Sequence, residues 1–254
     1  MDAFSNNKEP SGRAQSEPAI NAPAVVLALG AVLIAVHLVI QFLPKQTADW
    51  TVLALAFIPA RYGGAEFAMP GGVGADFWSF ITHMFLHADW LHLGINVLFM
   101  AAFGSVLAKR FGAVRFLMFS ALAGIGGALA HLFSYWGEFV PVIGASGAIS
   151  GQMAGAVRLL FAQPQSIFAV HRQDPATVRA LTLSELLRSR RALTFLAVWI
   201  GLMIFTGAGN MFAPDGVSIA WQAHLGGFLV GLFVFDRFDP LRHRASTLEQ
   251  DGQV

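Results

Sequence analysis

Ala24-Val-Val-Leu-Ala-Leu-Gly-Ala-Val-Leu-Ile-Ala-Val-His-Leu-Val-Ile-Gln-Phe-Leu43 is a run of 20 residues without a charge, and its reading sets the class of the molecule. At 1.5 Å per residue such a helix is about 30 Å long, the thickness of a bilayer's hydrocarbon core. The rest of the chain agrees. Of its 254 residues 56% are hydrophobic and 12% charged, against roughly 25% charged in an ordinary soluble domain. A multi-pass membrane protein needs charges only in its loops, whereas a soluble domain must cover its whole surface with them. The 16 basic and 15 acidic residues leave a net charge of +1, which offers no nucleic-acid surface. Cysteine is absent, and that excludes disulfides, thiolate metal sites and a cysteine nucleophile.

Working outward, residues 1–23 are polar and contain Pro10, Pro18 and Pro23, the composition of a disordered arm with no secretory or transit pattern. After Pro44, the stretch from Lys45 to about Phe80 contains an apolar piece, Trp50 to Ala60, too short to span. Glycines at 63, 64, 71, 72 and 74 interrupt any long helix there, so the stretch reads as an interfacial loop with short helical pieces. Five further apolar runs follow, at about 91–108, 116–136, 146–163, 193–213 and 217–235. Six spans thus fill residues 24–236, and a polar tail occupies 237–254. The one charge inside the six apolar runs is Arg158, about 18 Å below its helix start and expected to snorkel its long side chain to the far interface. Six spans place both termini on one face. Sorted by that alternation, 14 basic residues fall on the terminal face and two, Lys45 and Arg61, on the other. The positive-inside asymmetry predicts cytoplasmic termini and a cytoplasmic 164–191 loop.

Polar side chains at membrane depth are costly and point to function. His83-Met-Phe-Leu-His87-Ala-Asp-Trp-Leu-His92-Leu-Gly-Ile-Asn96 leads into the second span, and places His92 and Asn96 one turn apart on one helix face. Gly144-Ala-Ser146-Gly147 opens the fourth span, and Ala223-His224-Leu-Gly-Gly227-Phe-Leu-Val-Gly231 lies in the sixth. These three helices all run from the outer face inward, so His92, Ser146 and His224 occupy the outer half of the bilayer. A serine, a histidine and a histidine-asparagine pair at similar depth supply what acyl transfer needs: nucleophile, general base and oxyanion donors. Ser146 at a helix start has its backbone N–H among the unpaired donors of the first turn. Gly147, Gly151 and Gly155 on one helix, and Gly227 and Gly231 on another, form small faces that let two backbones approach. No acidic residue lies at this depth on the inward-running helices, so a Ser-His dyad is expected rather than a triad. His83 and His87 could instead join His92 in a metal site, although the zinc-protease pattern His-Glu-x-x-His is absent.

At these residues the sequence resembles the rhomboid family of intramembrane serine proteases. The resemblance runs from about Trp78 to Gly231, through His-x-x-x-Asn (His92, Asn96), Gly-x-Ser-Gly (144–147) and Ala-His-x-x-Gly-x-x-x-Gly (223–231), in the family's order. It implies an all-α integral membrane protein, a six-helix bundle with Ser146 and His224 as catalytic dyad and with His92, Asn96 and the Ser146 amide lining an oxyanion hole. It also implies cleavage in or near the transmembrane segments of other membrane proteins, at small residues beside helix breakers, with no cofactor or metal. In the family a Trp-Arg pair precedes the Thr-His run before the second helix. Here Trp78-Ser79 stands before Phe80-Ile81-Thr82-His83, so the arginine is missing and the loop must be anchored differently. The fifth span, or the loop after it, is the expected moving gate. An inactive relative that binds membrane clients is the alternative, but it would be expected to lose Ser146 or His224. A transporter would place polar residues at the midplane on broken helices, and no internal repeat supports one. The missing transit pattern favours a bacterial inner membrane.

Overall fold

The computed structural model describes residues 22–64, 68–162, 174–208 and 220–242. All regular structure in them is helical, apart from one isolated bridge between Phe57 and Val142. Helix α1 (Ala24–Phe42) begins after Pro23, and Pro44 caps the start of α2 (Lys45–Leu55). Proline suits both places, because the first amides of a helix have no internal partner to lose. A short 3₁₀ turn (Pro59–Tyr62) and α3 (Gly72–Thr82) complete the stretch between the first two predicted spans, which the sequence reads as a loop with helical pieces. The second span is α4 (Trp90–Phe99), a π-helical turn (Met100–Gly104) and α5 (Ser105–Phe111) in one continuous rod. Gly112, with φ +77°, turns the chain sharply into α6 (Ala113–Ser134). Then follow α7 (Ser146–Leu160), the short α8 (Leu183–Arg188), α9 (Arg190–Ala208) and α10 (Trp221–Phe238).

Among the described residues, three helical stretches are long and apolar enough to cross a membrane: Ala24–Phe42, Trp90–Phe111 and Ala113–Ser134. Their outward faces carry exposed Val39, Leu98, Met118 and Phe133, apolar surface that suits lipid and not water. Helix α7 has only 15 residues, and every one from Gly147 to Leu159 is buried. That explains why glycine, alanine, serine and glutamine dilute its hydrophobicity: it faces protein, where small residues pack best, and not acyl chains. The ends of the predicted fifth and sixth spans, like most of the N-terminal arm and the C-terminal tail, lie outside the described residues.

Helices α6, α7 and α10 pack as the central unit. A Cβ on Gly231 would overlap the Gly151 backbone, one on Gly227 would overlap the Gly147 carbonyl, and one on Gly151 would sit 2.9 Å from the Gly227 oxygen. The two backbones therefore touch along a seam without side chains. At the far end Arg158 does not snorkel. It is fully buried, and donates to Asp236 at 2.7 Å and to the carbonyls of Leu181 at 2.8 Å and Leu232 at 3.4 Å, with its guanidinium 4.5 Å from the centre of the Phe235 ring. The half-buried Asp236 carboxylate and two backbone carbonyls take the place of water around the guanidinium. Beside this, Arg110 makes two 2.8 Å bonds to Asp239 and donates to the carbonyls of Pro175, Ala176 and Val178. The segment after α7 and the ends of α5 and α10 are thereby held together.

Candidate active site

Ser146 is the first residue of α7, and its hydroxyl is 2.7 Å from His224 Nε2 on α10. The α7–α10 seam makes this possible, since only glycine-lined backbones come close enough for a serine and a histidine near the two helix starts to meet. With Nε2 facing the hydroxyl, the arrangement suits Ser146 O–H as donor and a neutral imidazole with its proton on Nδ1. This is the described side-chain hydrogen bond of His224, and among the described residues none joins its ring to a carboxylate.

The segment before Ser146 is pinned from three sides. Phe57 and Val142 exchange backbone hydrogen bonds of 3.1 and 2.8 Å, the Gly144 N–H donates to the His83 carbonyl at 2.9 Å, and His131 Nε2 donates to the Val140 carbonyl at 2.9 Å. Gly144 has φ +116°, where an L side chain is strained. A Cβ there would lie 2.8 Å from Nε2 of His92 and 3.7 Å from the Ser146 hydroxyl oxygen. The Gly144 Cα thus forms a floor on which the His92 ring and the serine both rest.

His92 stands in the first turn of α4, capped by Asp89, whose carboxylate accepts the His92 N–H at 2.8 Å. The Ala88 N–H points at His92 Nδ1 at 3.4 Å. A nitrogen that accepts carries no proton, so Nε2 bears it and presents an N–H toward the Gly144 floor. Asn96, buried one turn along, donates its amide to the His92 carbonyl at 2.8 Å, while its Oδ1 meets no hydrogen-bond donor among the described residues. Of the four residues expected at the site, Ser146, His224 and His92 converge. The described bond of Asn96 stays within its own helix and holds it beneath His92.

Among the described residues, no group of three or more metal-ligating side chains is placed to hold an ion. His83 commits Nδ1 to the Ser79 carbonyl at 2.8 Å, and the His87 ring packs edge-on against His92 with centroids 5.0 Å apart.

The sequence reading assigned no role to Gly144 or Arg61. Helix α2 ends on the free carbonyls of Leu53, Ala54 and Leu55. Arg61 Nη2 donates to Leu53 at 2.8 Å and to Pro70 at 2.7 Å, Trp78 Nε1 to Ala54 at 2.8 Å, and Thr82 Oγ1 to Leu55 at 2.7 Å. Arg61 also faces Asp76 at 3.9 Å. A cation at a helix C-terminus meets the negative end of the dipole. Arg61, whose side chain is 2% exposed, thereby anchors the loop in which Ser79 replaces the expected arginine, and its neighbour Phe57 supports the serine segment. The nearest signal in the sequence was a lone arginine on the face poor in basic residues.

Residues 74–236 match the family model described as Rhomboid domain. The chain is similar to Rhomboid protease GlpG of Serratia proteamaculans (strain 568), 27% identical over 168 residues, which are 66% of this chain and 50% of that protein. It is similar to Rhomboid protease GlpG of Yersinia pestis (strain Pestoides F), 26% identical over 172 residues, 68% of this chain and 51% of the relative. A third relative is Rhomboid-like protease 3 of Toxoplasma gondii, 29% identical over 171 residues, 66% of this chain and 54% of that protein. The matched part of the chain thus spans about half the length of these curated relatives.

Proposed function

The chain belongs to the rhomboid family of integral membrane proteins, and from that premise we propose that it is an intramembrane serine endopeptidase acting through a Ser146–His224 dyad. The observation that carries this reading is the 2.7 Å contact between the Ser146 hydroxyl and His224 Nε2. His224 takes the hydroxyl proton as Ser146 Oγ attacks the scissile carbonyl carbon. The oxyanion is stabilised by the N–H groups of the first turn of α7 and by His92 Nε2–H, with Asn96 beside them. Collapse of the tetrahedral intermediate breaks the C–N bond, and His224 returns its proton to the leaving amine. Water, deprotonated by His224, then attacks the acyl-enzyme, and a second tetrahedral intermediate releases the new carboxylate and restores the serine. No cofactor or metal enters any step.

The substrates are membrane proteins, cut in or near a transmembrane segment that must unwind locally to offer its carbonyl. Six spans between residues 24 and 236 with cytoplasmic termini are the topology that the basic-residue asymmetry supports, and a bacterial inner membrane is the location. Both Ser146 and His224 are present and in contact, which argues against the inactive client-binding alternative.

A serine-directed phosphonate probe tests the reading on purified protein. Labelling is expected in the unmodified chain and is expected to vanish in Ser146→Ala and His224→Ala. Equal labelling of Ser146→Ala would remove that serine as nucleophile.

A further inference from the structure

The α7–α10 seam solves one problem and creates another. Glycine faces let the two backbones touch, but where Gly147 and Gly151 meet Gly227 and Gly231 the seam has no knobs to resist sliding along the helix axes, and side-chain packing returns only beside it, with Phe228 near Met153 and Val157 and with Phe235 against Gly155. Ser146 and His224 need axial register, because a slip of one residue moves one helix by about 1.5 Å against the other. The described contacts show where register is held. Arg158 follows Ser146 by twelve positions, and Asp236 follows His224 by twelve, so both pairs bridge the helices at a separation of 78 residues in sequence. Equal offsets mean parallel helices joined by one polar bond at the outer end and another about 18 Å away at the inner end.

Arg158 grips α10 by three groups, the Asp236 carboxylate, the Leu232 carbonyl and the Phe235 ring, and grips the segment after α7 through the Leu181 carbonyl. Arg242 approaches the other Asp236 oxygen at 3.1 Å and fixes the carboxylate from its exposed side. Buried ion pairs contribute little net stability compared with well-packed apolar residues of the same size, and register is the best-attested use of buried polar groups. We infer that Arg158 is a positioning residue for the reaction: by locking α10 against α7 from the inner end, it sets the register in which His224 meets Ser146. This rests on the dyad reading proposed above.

The test separates register from stability. In the double variant Arg158→Met with Asp236→Leu, both partners become apolar and no buried charge is left alone. Turnover of a reporter transmembrane substrate, the rate of phosphonate labelling and the Tm are measured in detergent. The phosphonate is small and reports the dyad without requiring a docked helix. Turnover and labelling are expected to fall together by about 10- to 100-fold, as for a misplacement of about 1 Å, while KM and Tm stay at the values of the unmodified protein. Arg158→Lys, which keeps a cation in reach of Asp236, is expected to recover most of the labelling rate. Unchanged turnover and labelling in the double variant overturn the inference. So does a double variant that fails to fold, or whose loss tracks a lowered Tm, because the pair is then a stability element. If Ser146→Ala in the otherwise unmodified chain is still labelled, the dyad reading has failed instead.

Discussion

Gly144→Ala perturbs the site at a single methyl group. At φ +116° an alanine bears backbone strain of about 1–3 kcal/mol. The new Cβ would sit 2.8 Å from Nε2 and 2.9 Å from Cε1 of His92. Ordinary contact needs about 3.5 Å, so the ring must retreat by roughly 0.7 Å. The Ser146 hydroxyl oxygen, 3.7 Å from the same Cβ, is not pushed. The Gly144 N–H bond to the His83 carbonyl needs no glycine and survives. On the proposed reading the variant therefore removes one oxyanion donor and spares the dyad, a loss of about 10²–10³ in kcat, or about 2.7–4 kcal/mol of transition-state stabilisation. Cleavage of a fluorogenic transmembrane substrate in proteoliposomes measures it, with kcat and KM separated. His92→Ala should lose a similar factor, and the double variant should lose no more than His92→Ala alone, because both changes remove the same donor. Retention of kcat within about threefold, or a double variant whose loss is the product of the two single losses, would refute the assignment of His92 to the oxyanion.

Asn96→Ala should lower kcat by about 10- to 100-fold with Tm nearly unchanged, since the lost bond lies within one helix turn; unchanged turnover would remove Asn96 from the site. Arg61→Ala strips the cap from Leu53 and Pro70, each a charge-assisted bond worth about 1.5–3 kcal/mol, and should lower thermal stability in a detergent melt more than Arg61→Lys does; equal melts would show that the cap carries nothing. Near α8, the Glu185 carboxylate is held below its ordinary pKa of 4.5, chiefly because it accepts the Thr182 N–H. A depressed folded pKa adds stability that is present above 4.5 and lost as pH falls through the folded value. Amide exchange over residues 182–188 should therefore lose protection, after correction for intrinsic rates, between neutral pH and about pH 3; protection independent of pH would refute the capping role.

What the sequence made legible was local or periodic. Ser146 at a helix start, the shared face of His92 and Asn96, and glycines at fourfold spacing all follow from helix geometry, and the structure brings Ser146, His92 and His224 to one place. The membrane class followed from composition, although among the described residues three helices pass on length and hydropathy alone. Helix α7, read from the sequence as the fourth span, is short and diluted by small residues because it is surrounded by protein. Arg158 was misread for a related reason: the sequence offers a long side chain and a distant interface, while its partner lies 78 residues away. Arg61 resembled a stray surface charge, because the carbonyls it caps become neighbours only when α2 ends and the chain folds back. Gly144 was visible as part of a motif, but its reason, a positive φ beside the His92 ring, belongs to the backbone.

The parallel seam also has a consequence for biosynthesis. On the proposed reading the nucleophile and its base enter the membrane 78 residues apart in the chain, the base on the last described helix. A chain still emerging from the ribosome, or one cut anywhere between them, carries an ordinary serine in a hydrophobic helix and cannot attack its neighbours. Proteolytic competence would thus arise only once α10 has been inserted, a safeguard against premature cutting supplied by topology alone.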